Sequence, residues 1–323
     1  MPRVLITTDY LGPGDEVDRY LRAAGLETVH LPMTGKRDPD ELVKGLQGID
    51  AALVANEPMT AEVLEQAPEL RVVVRTGVGY DSIDVAAAAR LGISVSNLPG
   101  INANAVAEYT LGLLLAGARR LVQSARGVER GEWPREDGYE LRGSVLGLIG
   151  YGASARAVVP LARAFGMTVL CTTNVPEDQR DGDVSFVELD ELLASSDYVS
   201  VHTSLTERTG GLLNEAAFRR MKPTAFLVNT ARGPIVDETA LAEAVWSGQI
   251  AGAALDVASE EPLPLTSPLR DVDNIVVYSH LAGQTANARA AAGLRGAEEL
   301  VAALEGRARY VVNTPPKSGS KRR

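Results

Sequence analysis

An α/β fold built from two doubly wound parallel-sheet domains is predicted by three features of the 323-residue chain. Short apolar runs bounded by polar or turn residues recur almost from end to end, separated by longer stretches with helical spacing. That alternation belongs to parallel sheets covered by helices on both faces. The length suits about two domains. A glycine-rich turn, Gly150-Tyr151-Gly152-Ala153-Ser154-Ala155, joins one apolar run directly to a helix-like stretch.

In the first third, Val4-Leu5-Ile6, Ala51-Ala52-Leu53-Val54 and Val72-Val73-Val74 read as buried strands, with another strand end at Thr28-Val29-His30. Residues 16–24, 39–46 and 61–66 carry helical spacing between them. Residues 104–121 are apolar nearly all round, which predicts a helix buried between domains or against another subunit, capped by Asn102 or Asn104. Strands return at 145–149, 168–171, 198–201, 225–228, 250–255 and 275–278. Residues 314–323 hold two prolines, a glycine, two serines and four basic residues and read as a loose tail.

Composition narrows the function. Hydrophobic residues at 45% and charged residues at 23% exclude a disordered or low-complexity chain. Acidic residues outnumber basic ones by 42 to 32, which argues against a nucleic-acid partner. The one cysteine, Cys171, excludes an intrachain disulfide and a multi-thiolate zinc site, and suits a reducing compartment. The start, Met1-Pro2-Arg3-Val4, has no signal-peptide pattern, and no apolar stretch approaches the ~18 residues of a membrane span. The expectation is a cytoplasmic protein with neither a membrane partner nor a metal.

The turn after Ile149 is a Gly-x-Gly-x-x-Ala dinucleotide fingerprint. Gly150 permits the tight turn, Gly152 lets backbone approach a pyrophosphate, and Ala155 keeps the helix close to the sheet. Tyr151, Ala153 and Ser154 complete the loop, and the helix N-terminus offers unpaired N–H groups to phosphate. Pro160 falls within this helix and removes one of its hydrogen bonds. About 20 residues on, a carboxylate should hold the adenosine ribose. Here Thr172-Thr173-Asn174 offers none, which removes the charge that repels a 2′-phosphate. No arginine replaces it directly: Arg180 comes later, after Glu177 and Asp178. The choice between NAD(H) and NADP(H) stays open and leans to NADP(H), with Thr173 and Asn174 as candidate contacts.

The chain has three histidines. His30 reads as a packing or surface residue. His202 ends a strand, where a structural role is favoured over lining the cofactor site with Thr203. His280 also ends a strand and leads into Leu281-Ala282-Gly283. Two neighbouring strand ends weight it towards chemistry: Asn229-Thr230-Ala231-Arg232-Gly233, and Asp256-Val257 followed by Glu260-Glu261-Pro262. A guanidinium grips a carboxylate and polarises the adjacent carbonyl, an imidazolium donates the proton, and a nearby carboxylate favours the charged imidazole. That set suits reduction of a carbonyl beside a carboxylate.

The sequence resembles the D-isomer-specific 2-hydroxyacid dehydrogenase family, which includes phosphoglycerate dehydrogenase, glyoxylate/hydroxypyruvate reductase and phosphite dehydrogenase. The resemblance covers nearly the whole chain. It rests on Arg75-Thr76-Gly77-Val78-Gly79-Tyr80-Asp81, Pro99-Gly100-Ile101-Asn102 with Val106-Ala107-Glu108, the Gly150 turn, Asn229 to Gly233, Ala254-Leu255-Asp256-Val257 with Glu261-Pro262, and His280-Leu281-Ala282-Gly283. It implies that Arg232 binds substrate, that His280 is the general acid/base with Glu261 as its partner, and that Asp256 faces the nicotinamide. Ala231 and Gly283 would join the cofactor site, and the Val78 and Gly79 backbone would hold the substrate carboxylate with Asn56 nearby. It further implies a flavodoxin-like substrate domain (1–99 and 286–323), a Rossmann dinucleotide domain (100–285), closure over a cleft, and a homodimer formed through the apolar helix.

Departures from the family pattern bear on specificity. Ala153-Ser154 replaces the usual Arg-Ile pair, Ala258 stands where phenylalanine is common, and Ser279 replaces the proline before the histidine. Val54-Ala55-Asn56-Glu57 lacks the arginine used for a substrate phosphate, and Glu57 would repel a dianion. The expected activity is NAD(P)-dependent interconversion of a small 2-oxo acid and its D-2-hydroxy acid. The alternatives are a cofactor-sensing interaction protein similar to the C-terminal binding protein corepressors, or a family dehydrogenase for another donor. Among such donors, Glu261 argues against formate; phosphite or a phosphonate hydroxy acid is left, the phosphonate needing Arg75 or Arg135 to reach the site.

Overall fold

The computed structural model describes residues 1–33, 38–182 and 184–313, so the tail expected at 314–323 lies outside the described residues. The chain divides into two compact units, Met1–Asn102 with Ala286–Arg323, and Ala103–Thr285.

The first unit runs β1 (Arg3–Ile6), α1 (Glu16–Ala23), β2 (Glu27–His30), α2 (Pro39–Gly45), β3 (Ala51–Val54), α3 (Ala61–Glu65), β4 (Val72–Arg75), α4 (Val85–Leu91) and β5 (Ser94–Ser96), and the C-terminal helix Ala286–Leu304 returns to it. Its five strands are all parallel in the order β2-β1-β3-β4-β5. Successive strand residues face opposite sides. Leu5, Ala52, Val54 and Val73 pack with Leu42, Leu46 and Leu64, whereas Val4, Ile6, Leu53 and Val74 pack with Leu21, Ala297 and Leu300. Burial on both faces explains why these strands read as unbroken apolar runs. Asp15, Asp38, Thr60 and Asp84 each cap a helix through a side-chain oxygen.

The second unit runs α5 (Ala103–Ala118), α6 (Leu121–Glu129), β6 (Val145–Ile149), α7 (Ala153–Ala164), β7 (Thr168–Thr172), β8 (Ser185–Phe186), α8 (Leu189–Ser195), β9 (Tyr198–Val201), α9 (Glu215–Phe218), β10 (Phe226–Asn229), α10 (Glu238–Trp246), β11 (Gly252–Leu255) and β12 (Ile275–Val277). Its parallel strands lie in the order β12-β11-β10-β9-β6-β7-β8, the doubly wound order of a Rossmann sheet.

The helix expected over 104–121 is shorter than its apolar pattern. The Ala118 carbonyl accepts the Tyr139 N–H, and Arg120 takes left-handed backbone (φ 50°), so the chain turns and restarts as α6. Asn104 lies inside α5 and not before it. Gly117 lets α5 lie on the sheet, because a Cβ there would meet the Phe226 ring at 2.5 Å. Helix α7 continues through Pro160.

Candidate active site

In the second unit the strand order reverses between β6 and β9, and the crevice beyond their carboxyl ends is where such sheets bind ligands. Gly150 sits at that point with φ +101°, and a Cβ on it would lie 2.6 Å from the His202 carbonyl oxygen and 2.8 Å from the Thr203 nitrogen. Only glycine fits. Gly152 precedes α7 with no side-chain cap, and no protein atom lies within 4 Å of where its Cβ would be. Ala153 is exposed, Ser154 half-buried, and Ala155 buried against the sheet. An open glycine backbone leading into the N-terminus of a twelve-residue helix fits a dinucleotide phosphate.

His202 is buried behind this turn. Its Nε2 lies 2.9 Å from Ser200 Oγ and its Nδ1 3.3 Å from Ser154 Oγ. Burial pushes its pKa down to about 4, so the ring is neutral and orders the Ser154 end of the loop. Beyond β7, Thr173 Oγ1 accepts the Val175 N–H at 3.1 Å, and Asn174 is exposed. Arg180 folds back onto the same turn, donating through Nε to the Val175 carbonyl at 2.9 Å. The buried Tyr151 ring lies under the Arg156 guanidinium, 4.3 Å from its centre, and both side chains donate to Asp181.

The adjacent strands β10, β11 and β12 deliver the ionisable groups. At the end of β10, Asn229 is fully buried: its Nδ2 donates to the Arg232 carbonyl at 2.9 Å and its Oδ1 accepts the Ala231 N–H at 3.0 Å. The Arg232 Nη1 donates to the Ala231 carbonyl at 2.7 Å. Gly233 packs directly on the chain after β11, since a Cβ there would be 2.0 Å from the Ala258 carbonyl carbon. Glycine at this position therefore lets the turns after β10 and β11 touch. From the turn after β11, Glu261 Oε2 lies 2.9 Å from His280 Nδ1, and Glu261 Oε1 accepts the Ala258 N–H at 3.2 Å. The carboxylate engages Nδ1, which leaves Nε2 on the other side of the ring.

His280 has left-handed backbone (φ 58°), which a non-glycine residue holds only when its surroundings require it. Asp256 does so. Its backbone carbonyl accepts the His280 N–H at 2.8 Å, and its two carboxylate oxygens accept the Leu281 and Ala282 N–H groups at 2.8 Å each. Gly283 follows in the same turn, and Gln284 Nε2 donates to the His280 carbonyl. The Asp256 carboxylate thus engages the turn that carries His280. Among the described residues, no cluster of His, Cys, Asp and Glu is placed to hold a metal ion.

The other expected residues lie in the first unit. Val78 and Gly79 occupy the turn after β4, fixed by the Asn97 side chain donating to the Val78 carbonyl at 2.6 Å. Among the described residues, neither the Val78 nor the Gly79 N–H has a protein acceptor. Asn56 accepts from Arg75 Nη2 at 2.6 Å. Glu57 is buried and accepts the Ala55 N–H at 2.6 Å. His30 packs against Asp18, with Nε2 at 3.0 Å from Oδ1. Asn229 and Tyr109, the latter beside Asp256, were not foreseen as site residues. Asn229 stood in the quoted motif, but nothing in the sequence separates a buried amide that braces a turn from an ordinary strand end.

A family model described as D-isomer specific 2-hydroxyacid dehydrogenase, NAD binding domain, matches residues 111–282. The chain is 38% identical over 319 residues to the glyoxylate reductase of Thermofilum pendens, covering 94% of this chain and 92% of that one. It is 38% identical over 307 residues to the D-3-phosphoglycerate dehydrogenase of Archaeoglobus fulgidus, covering 93% of this chain and 58% of the other. The crystal structure of a Thermus thermophilus protein, 38% identical, superposes with a TM-score of 0.86 over 96% of this chain and 99% of that one. With a Gly-x-Gly turn at the switch point of one sheet and a histidine–carboxylate pair beside an arginine at its edge, the chain belongs to the D-isomer specific 2-hydroxyacid dehydrogenase family and is an oxidoreductase with a nicotinamide-dinucleotide-binding domain.

Proposed function

We propose that the protein reduces a small 2-oxo acid of glyoxylate or hydroxypyruvate size to the 2-hydroxy acid, of D configuration where the product is chiral, with NADP(H) as the preferred cofactor. The observation that carries this reading is the 2.9 Å contact between His280 Nδ1 and Glu261 Oε2, beside the strand end that bears Arg232. When bound, the nicotinamide dinucleotide supplies the hydride. Arg232 grips the substrate carboxylate and draws electron density from the carbonyl. His280 Nε2 gives its proton to the carbonyl oxygen as the alkoxide forms, while Glu261 holds Nδ1–H and stabilises the charged ring. The Val78 and Gly79 N–H groups, which have no protein acceptor among the described residues, are available to a substrate carboxylate, and the first unit acts as the substrate domain.

Two features support the finer choices. Thr173 puts no carboxylate at the ribose position, and Arg180, anchored on the Val175 carbonyl, brings a cation to that turn. Glu57, fixed on the Ala55 N–H, adds a negative charge where a phosphoglycerate would need a positive one. A homodimer belongs to this reading, although the apolar residues of α5, Leu111, Leu113 and Leu114 among them, are already buried within the second unit.

The test is nicotinamide oxidation with NADH and NADPH across glyoxylate, hydroxypyruvate, pyruvate, 3-phosphohydroxypyruvate and phosphonopyruvate. Turnover of glyoxylate and hydroxypyruvate, faster with NADPH, is expected. Tight cofactor binding without turnover of any of them would overturn the reading in favour of a cofactor sensor.

A further inference from the structure

Two consecutive peptide units of the turn after β4 are held from one side by the segment that follows β5. The Asn97 side-chain amide donates to the Val78 carbonyl at 2.6 Å, and the Leu98 N–H donates to the Gly77 carbonyl at 2.8 Å. Facing a carbonyl oxygen, the Asn97 group can only be its NH2. Both peptide bonds are trans, so each N–H lies opposite the carbonyl of its own peptide. The Gly77 carbonyl shares its peptide with the Val78 N–H, and the Val78 carbonyl shares its peptide with the Gly79 N–H. Pinning those two carbonyls therefore turns both N–H groups away from the 97–98 segment, and neither has a protein acceptor among the described residues. Asn97 is itself anchored. It is 7% exposed, and its N–H donates to the Tyr310 carbonyl at 3.3 Å. The Ser96 hydroxyl and the Tyr310 N–H both donate to one oxygen of the fully buried Glu299, at 3.1 and 3.0 Å.

We infer that Asn97 is a positioning residue for the substrate carboxylate: it fixes the Val78–Gly79 peptide so that the Gly79 N–H, paired with that of Val78, is presented to an anion. The inference rests on the reading of the first unit as the substrate domain. Two successive N–H groups held side by side make an anion-binding pair, and the pair binds best when it is aimed before the anion arrives. A donor on the carbonyl also polarises the peptide, which strengthens the N–H at its other end. Leu98 acts through its backbone, which any residue but proline would supply, whereas the Asn97 bond is made by a side chain. The carboxylate of a 2-oxo acid keeps its charge through the reaction, so its anchor acts alike on the ground and transition states. Losing the aim of that anchor weakens binding and leaves the chemical step in place.

The test is Asn97→Ala, with Ser96→Ala as the control, whose buried hydroxyl serves Glu299 instead of the turn. Glyoxylate kinetics with NADPH, thermal unfolding, and titration of oxamate, an unreactive analogue of a 2-oxo acid, into the cofactor-loaded protein are measured on wild type and both variants. In Asn97→Ala the KM for glyoxylate and the Kd of oxamate should each rise about tenfold, with kcat within about threefold of wild type and the Kd of NADPH unchanged. Ser96→Ala should lower Tm and leave both constants within about twofold. Should Asn97→Ala not fold, the isosteric Asn97→Asp, which sets an acceptor against the Val78 carbonyl, carries the same expectation. A KM that stays within about twofold of wild type, an equal rise in Ser96→Ala, or a loss of kcat at unchanged KM would overturn the inference. Should wild type reduce no 2-oxo acid yet bind oxamate, the proposed function fails, and the oxamate Kd alone decides this point: an unchanged Kd in Asn97→Ala would overturn it. Wild type that neither reduces a 2-oxo acid nor binds oxamate would overturn both.

Discussion

Asp18, in the first unit, and Asp256, in the second, keep only 3% and 1% of their surface exposed, yet their surroundings differ in kind. Burial raises the pKa of each, but around Asp18 it is outweighed. Thr28 Oγ1 at 2.5 Å, His30 Nε2 at 3.0 Å, the Gly14 N–H at 2.9 Å and Arg22 Nε at 3.0 Å together hold that carboxyl well below the usual carboxylate range. Those partners tie α1 to β2 and the preceding loop, and none belongs to the site. At Asp256 burial prevails over the Leu281 and Ala282 N–H groups, and the carboxyl is raised. A saturated carboxylate with charged partners is a structural rivet. Asp256 is instead held by backbone N–H groups of the turn that carries His280.

The comparison breaks most visibly at Asp256. Asp256→Asn turns one acceptor into a donor facing a backbone N–H, and kcat should fall by about 100-fold while Tm moves little, a split read by steady-state kinetics beside calorimetry. Asp18→Asn should do the reverse: a loss of roughly 1–3 kcal/mol in denaturant-unfolding stability, with kcat within about twofold of wild type. The two carboxyls also differ in the sign of their pH linkage. Asp18, whose folded pKa is depressed, contributes stability that is present above its unfolded pKa of about 3.9 and lost as pH falls through the acid range. Asp256, whose folded pKa is raised, contributes stability that is full below that value and lost as pH rises. Unfolding curves of wild type and Asp18→Asn should therefore converge on acidification.

His202 sharpens the same point with a base. Its folded pKa of about 4 lies below its ordinary 6.5, so the unfolded chain binds the extra proton between those values. Stability should fall on acidification across that window, with a slope of up to roughly 1.4 kcal/mol per pH unit that His202→Gln removes. A slope that survives the substitution would assign the proton elsewhere.

The sequence carried the outline of both sheets because their strands are buried on both faces and so run apolar without interruption, as at Ala51–Val54. Strands β5 and β8 escaped notice since three and two residues with polar neighbours leave no such run. The break after Ala118 was hidden too, because a distant N–H from Tyr139 ends the helix and no local residue announces it. At the site, Gly150, Arg232, Glu261 and His280 were legible as glycine or charge at strand ends. What Asp256 grips, why Gly233 must be glycine, and how Asn229 braces its turn depend on which strands lie side by side. Local spacing does not encode that.

The chemistry assigned to His280 is tested most directly by comparing wild type with His280→Ala under two readouts, cofactor dissociation constant and single-turnover nicotinamide oxidation by hydroxypyruvate. Cofactor affinity should stay within about twofold, since the phosphate turn at Gly150 is untouched, while turnover falls by about 10²–10⁴-fold. Wild-type turnover in His280→Ala, or a loss of turnover matched by an equal loss of cofactor binding, would contradict the assignment of His280 as the proton donor.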